Sequence, residues 1–147
     1  MNIKVVGFYL ILMLSVSSCK KDTQPSEPIS GTLSGSSWQL TQIDTVNGGS
    51  HLLEQDDTII LRFDDLRRIS GESPGRCGNT YFGVYSIPSV YGIRTDSLVT
   101  TEIYCARSQY HYYYSLLMKA EHYQRYDARL ELLCDNHTRR LVLRRVH

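Results

Sequence analysis

From Trp38 to the C-terminus the chain is written as short alternating runs closed by turn residues, a pattern that constrains it to antiparallel β structure. Residues 37–43 form a first strand, with Trp38 and Leu40 on one face and Gln39, Thr41 and Ile43 on the other. Asn47-Gly48-Gly49 is a turn signal. Residues 58–63 and 67–71 make a hairpin about Asp64-Asp65, and 71–78, rich in glycine, serine and proline, read as a loop. Residues 79–86 are a strand with Asn79, Tyr81, Gly83 and Tyr85 on one face and Thr80, Phe82 and Val84 on the other. A glycine inside a strand marks a bend or a close backbone approach, which places one at Gly83. Weaker strands are expected over 91–94 and 97–100 around a turn at Asp96, and clearer ones over 122–126, 129–134 and 139–146.

One segment has the helical period instead. Over residues 108–120, Tyr110, Tyr113, Tyr114 and Leu117 fall at i, i+3, i+4 and i+7, with Ser108 placed to cap the N-terminus. The chain has eleven tyrosines against three phenylalanines. Tyrosine suits half-buried faces, where the ring packs and the hydroxyl finds a partner, so core packing explains this helix face without a cofactor.

The N-terminus has a different grammar. Met1-Asn2-Ile3-Lys4 is a short basic region, residues 5–14 are apolar, and Ser15-Val16-Ser17-Ser18 precede Cys19. The apolar run is shorter than the ~20 residues of a membrane span and has the form of a secretory signal. With its cysteine it resembles the lipobox of bacterial lipoproteins, although Val16 stands where leucine is more usual. Residues 1–18 are then the signal peptide, and the thiol of Cys19 carries the lipid. Acyl chains such as palmitate contribute about 0.8 kcal/mol per buried methylene, so two or three make a lasting anchor. Lys20 in place of aspartate points to the outer membrane by the sorting rule of some diderm bacteria, without fixing the leaflet. Residues 19–36, polar and carrying Pro25, Pro28, Gly31 and Gly35, read as a flexible tether that lifts a domain over 37–147 clear of the headgroups.

The ordered motifs of that domain resemble the META domain of HslJ-like heat-shock-inducible lipoproteins. They are Trp38-Gln39-Leu40, Phe63-Asp64, Ser70-Gly71, Cys77-Gly78-Asn79, Gly83-Val84-Tyr85, Thr101-Glu102-Ile103-Tyr104-Cys105 and Leu130-Glu131-Leu132. Two departures stand out: Gly78 separates Cys77 from Asn79, and Ile103 takes the place of a common methionine. The resemblance implies a mainly β fold, a small lipocalin-like antiparallel barrel or curved sheet with one packed helix. It implies no enzymatic activity and a link to envelope stress and drug resistance.

Export makes disulfides permissible, and Cys77 with Cys105 is the natural pair; Cys77–Cys134 and Cys105–Cys134 stay open. A Cys77–Cys105 bridge leaves Cys134 as an unpaired thiol, a candidate reactive group if it is accessible beside a positive charge. The histidines His51, His111, His122, His137 and His147 are scattered, and Cys134 with His137 is the nearest metal-like pair, without a third ligand. Cys105 with His111 would make a nucleophile pair only without the disulfide. Asp56-Asp57 and Asp64-Asp65 flank strands and read as turns, not as an acid–base set. No nucleotide or hydrolase motif is present, so neither catalytic residues nor a cofactor or metal is expected. A net charge of +1 argues against nucleic acid. The expected partners are the membrane, through the lipid, and an envelope protein or, alternatively, a small apolar ligand. A ligand carrier requires a dry cavity between sheet and helix; an interaction module requires a filled core and an exposed aromatic patch.

Overall fold

A computed structural model describes residues 28–29, 32–53, 57–75, 78–104 and 108–147. The elements follow as β1 (Ser36–Thr45), β2 (Ser50–Leu52), β3 (Ile60–Phe63), β4 (Arg68–Ser73), β5 (Asn79–Ser86), β6 (Arg94–Thr100), α1 (Tyr110–Leu117), β7 (Ala120–Arg125), β8 (Arg129–Cys134) and β9 (Arg139–Val146). They build one antiparallel sheet in the order β6-β5-β4-β3-β1-β9-β8-β7, with β2 paired to β1. The sheet curls into a half-barrel. Its two edges meet in a bridge between Gly92 and His122, where Ile93 N donates to Glu121 O (2.9 Å) and Tyr123 N to Tyr91 O (2.8 Å).

Bulges interrupt the ladder, two of them where strict alternation misleads. In β1, Leu40 pairs with Leu143 and Gln42 with Val142, so Thr41 is the extra residue. A one-residue insertion flips every later side chain to the opposite face. Ile43 therefore joins Trp38 and Leu40 in the core, against the strict alternation expected from sequence. In β6, Ser97 (φ +53°) and Leu98 together oppose Gly83. A Cβ on Gly83 would sit 2.8 Å from Leu98 Cδ2 and 3.1 Å from Asp96 O, so the expected bend at this glycine is a close approach of two backbones. The turn expected at Asp96 is this bulge inside one continuous strand, and of residues 91–93 only the bridge at Gly92 pairs in the ladder.

The core is a continuous cluster that includes Trp38, Leu40, Leu61, Phe63, Ile69, Tyr81, Tyr110, Tyr113 and Leu132. Burying each large apolar side chain contributes about 1.5–3 kcal/mol. β4 runs on through Gly71 to Ser73, residues expected to be loop, because Gly71 pairs with Tyr81 and Ser73 with Asn79. The helix is Tyr110–Leu117, shorter than the 108–120 expected. Leu33 is buried in the same cluster, and Ile29 N donates to Arg125 O (2.6 Å). The packed unit thus begins several residues before position 37, and what reads in the sequence as the end of a free tether is fastened to the domain. No helix among the described residues is long and apolar enough to cross a membrane.

Candidate functional site

Two of the ordered sequence motifs meet at one buried amide. Asn79 is fully buried at the start of β5. Its Nδ2 donates to Ile103 O (2.9 Å), while its Oδ1 accepts from Ile103 N (2.9 Å) and from Thr101 Oγ1 (3.1 Å). Thr101 Oγ1 in turn accepts from Thr80 N (3.0 Å). Beyond β6 the ladder has ended, and a side-chain amide with one donor and one acceptor replaces the missing strand. This fixes the segment that leads into the helix.

The helix is then held by its tyrosines. Tyr113 Oη lies 2.6 Å from Tyr81 Oη, which donates to Ile60 O at 3.0 Å. Tyr114 Oη donates to Leu98 O (2.8 Å), and Tyr110 Oη lies 2.5 Å from Thr100 Oγ1. The Tyr81 and Tyr113 rings are 5.9 Å apart, inside the favourable aromatic range. Burial lifts both phenols far above their ordinary pKa, so they act as neutral donors and acceptors. Tyr81 crosses Gly71, its cross-strand partner, where an added Cβ would lie 2.1 Å from Ile60 O and 2.2 Å from the Tyr81 hydroxyl. The N-terminus of α1 is fastened by Asp57, which accepts from Ser108 Oγ (3.0 Å) and Gln109 N (2.7 Å). Ser108 Oγ accepts from Tyr110 N (3.0 Å), but the N-cap position is Gln109, one residue after the serine expected there. The space beneath the helix is therefore filled by side chains. It is not the dry cavity that a carrier of that design needs.

The end of the barrel away from the helix is different. Leu33, Ile87, Val90, Tyr85 and Tyr123 line a partly open cleft of about 520 Å³, with Arg67 and Asp65 at its edge. Phe63 and Tyr85 meet edge to face beneath it (5.0 Å). On the outside of the sheet, Phe82 and Val99 are direct cross-strand neighbours and both exposed, at 63% and 53%, with exposed Val84 two residues along.

The remaining sequence candidates separate clearly. Cys19, Cys77 and Cys105 lie outside the described residues, as does Asp56. Cys134 is free and fully buried, which contradicts a role as an accessible thiol. Burial, reinforced by Glu121 and Asp135, pushes its thiol up to about 12. Asp64 closes the β3–β4 turn, accepting from Leu66 N (2.9 Å) and Arg68 N (2.8 Å). His137 finds His122, not Cys134: Nε2 of one is 2.9 Å from Nδ1 of the other, and Glu121 lies 3.5 Å from His137. A bulge between Ala120 and His122 brings Glu121 and His122 toward the same turn, which spacing along the chain does not reveal. Among the described residues no group of three or more His, Cys, Asp or Glu side chains is arranged to hold a metal ion.

A second feature missed by sequence reasoning is a buried charge network. Asp44 accepts from Arg140 Nη2 (3.0 Å), and Arg140 Nη1 donates to Glu131 (3.3 Å), with the two carboxylates 5% and 7% exposed at the side chain. Burial opposes the Asp44 charge, but bonds from Gln42, Ser50 and Arg140 together outweigh it and hold the carboxyl below its ordinary value.

The geometry has known counterparts. A protein from Burkholderia xenovorans, solved by NMR, superposes with a TM-score of 0.64 at 19% identity, covering 86% of this chain and 96% of that one. A DUF4847 family protein from Bacteroides vulgatus, solved by crystallography, gives 0.56 at 10% identity, covering 76% and 93%. Both show a shared fold. No curated protein is significantly similar to the chain. The META domain model matches residues 31–146, which takes in the buried Leu33 and every strand, and the chain belongs to the META domain family.

Proposed function

We propose that the protein is a lipid-anchored, non-enzymatic module of the cell envelope, held at Cys19 in the outer membrane and working by interaction with an envelope protein under stress. The observation that carries this reading is the pairing of a filled core with the exposed apolar strip Phe82, Val84 and Val99 on the outer face of β5 and β6. Isolated apolar side chains on a surface are ordinary, whereas cross-strand neighbours exposed together form a patch. Its neighbours on β4, Ser70 and Arg68, are polar, which gives the patch the polar border typical of interaction sites. A photo-cross-linking residue at Phe82 is expected to give a discrete adduct in intact cells, and one at His111 is not. Equal, diffuse labelling at both positions would contradict the reading.

The Cys77–Cys105 disulfide belongs to the same proposal. Asn79 and Ile103, each two residues from one of these cysteines, are joined by two hydrogen bonds, which supports bringing the thiols together.

One observation favours a second reading, a small-ligand carrier. The cleft of about 520 Å³ is within the range of small-molecule sites and combines apolar walls with an arginine at the edge. A ligand suited to it is apolar with an anionic end. A reproducible small-molecule adduct on the purified chain would move the assignment to this reading.

A further inference from the structure

The chain from Cys19 joins the domain at one particular end of the barrel. Ile29 N is bonded to Arg125 O, the Arg125 guanidinium donates to Thr32 O, Leu33 is buried, and Ser34 Oγ bonds the β3–β4 turn at Asp64 O (3.3 Å) and Asp65. This end carries the cleft; the helix and the β8–β9 turn lie at the other. Around its rim stand Ile29, Leu66, Val90 and Tyr91, exposed at 48%, 71%, 67% and 43%.

Charge is also divided between the ends. Strand ends and turns at the tether side present Arg67, Arg125, Arg129, Arg144 and Arg145. Of the acids there, Asp64 and Asp96 are paired with Arg68 and Arg94, Asp65 accepts from Ser34, and Asp127 is exposed in the β7–β8 turn. Asp44, Asp57, Glu72, Glu121 and Asp135 belong to the opposite half, where Arg140 and Lys119 pair with two of them, Asp44 and Asp135. Apolar side chains ringed by arginine suit an interface with anionic headgroups, where the apolar tips enter the boundary and the guanidiniums meet phosphate.

We propose that this mouth is a docking face for the surface of the membrane that holds the anchor. The inference rests on the lipid-anchor reading above. The ten residues from Lys20 through Ile29 would span roughly 16–19 Å as a coil. A domain of this size is about 35 Å across. The fastened tether therefore spans less than the width of the domain, and it presents the cleft end, not the helix end, to the lipid. The cleft then opens toward the bilayer.

The test uses the full chain purified from its own membranes and reconstituted into phosphatidylcholine vesicles containing phosphatidylglycerol and a doxyl-lipid quencher. An environment-sensitive fluorophore is attached in two variants, Val90→Cys at the mouth and Tyr104→Cys at the opposite end, with the unsubstituted chain as blank. Both positions are exposed, so neither variant disturbs the core. Quenching several-fold greater at position 90, reduced when phosphatidylglycerol is omitted, is the expected result. Equal quenching, or more at position 104, in a chain whose mass shows acylation overturns the docking face and leaves the anchor standing. A chain without acyl mass overturns the anchor, and this orientation with it.

Discussion

The hydroxyls of Tyr81 on β5 and Tyr113 on α1 lie 2.6 Å apart in the centre of the core, and Tyr81 also donates to the Ile60 carbonyl. One phenol thus connects three elements, β3, β5 and the helix, and its ring occupies the space that Gly71 leaves open.

The two tyrosines are not equivalent, because Tyr81 donates to Ile60 and so receives its bond from Tyr113. Tyr113→Phe leaves Tyr81 with a partner and should cost about 0.5–1.5 kcal/mol. Tyr81→Phe removes a bond from the buried Tyr113 hydroxyl and from the part-buried Ile60 carbonyl, and a buried group left unpaired costs about 1–3 kcal/mol. Urea unfolding of the two variants is expected to rank Tyr81→Phe as the more damaging. Equal midpoints would show that the hydroxyl pair carries no such asymmetry.

Gly71→Ala should be severe for a different reason. The added methyl meets the Ile60 carbonyl, which is backbone and cannot rotate away. Overpacking of this kind costs about 1–3 kcal/mol, occasionally more, and the upper end is expected here. Thermal unfolding of the variant measures it; a melting temperature within error of the parent would refute the close approach.

Acid should weaken the fold through Asp44. Its carboxyl titrates below the ordinary 3.8 in the folded chain, so its contribution is complete above that value and is lost as pH falls through the folded pKa. Urea midpoints measured from pH 7 downward should drop below about pH 4. Asp44→Asn should lower stability at neutral pH by about 1.5–3 kcal/mol and flatten the acid limb. A parent-like acid limb in the variant would assign the pH dependence to other carboxylates.

Cys134 should be chemically silent. The thiolate is the reactive form, and a buried thiol pushed up to about 12 supplies almost none at neutral pH. A disulfide reagent is expected to label Cys134 only at the rate of global unfolding, rising with urea. Prompt labelling of the native protein at this position would contradict its burial.

The strands Arg129–Cys134 and Arg139–Val146, set off by the turn residues around Asp127 and Asp135, are legible in the sequence to the residue, and the inward face of Asn79–Ser86 is legible as Asn79, Tyr81 and Tyr85. What alternation cannot express is a bulge. Thr41 and Ser97-Leu98 shift parity within β1 and β6, which moved Ile43 inward and turned an expected turn at Asp96 into an irregular strand. Long-range partners were hidden for a similar reason. Asp57 caps a helix 51 residues away, and Asp44 meets Arg140 across 96 positions, so neither has a local signature. The His122–His137 contact depends on a bulge and on a turn with positive φ at Asp135, Asn136 and His137. The tether's attachment was unreadable because the Pro- and Gly-containing polar composition of 19–36 conceals one buried leucine, Leu33.

The lipid anchor is tested most directly by the native mass of the full chain released from its own membranes in mild detergent. The expected chain begins at Cys19, is heavier by a diacylglyceryl thioether with or without a third acyl chain on its amine, and is lighter by the two hydrogens of a Cys77–Cys105 bridge. A chain that begins elsewhere, or that carries an unmodified Cys19, would contradict the anchor.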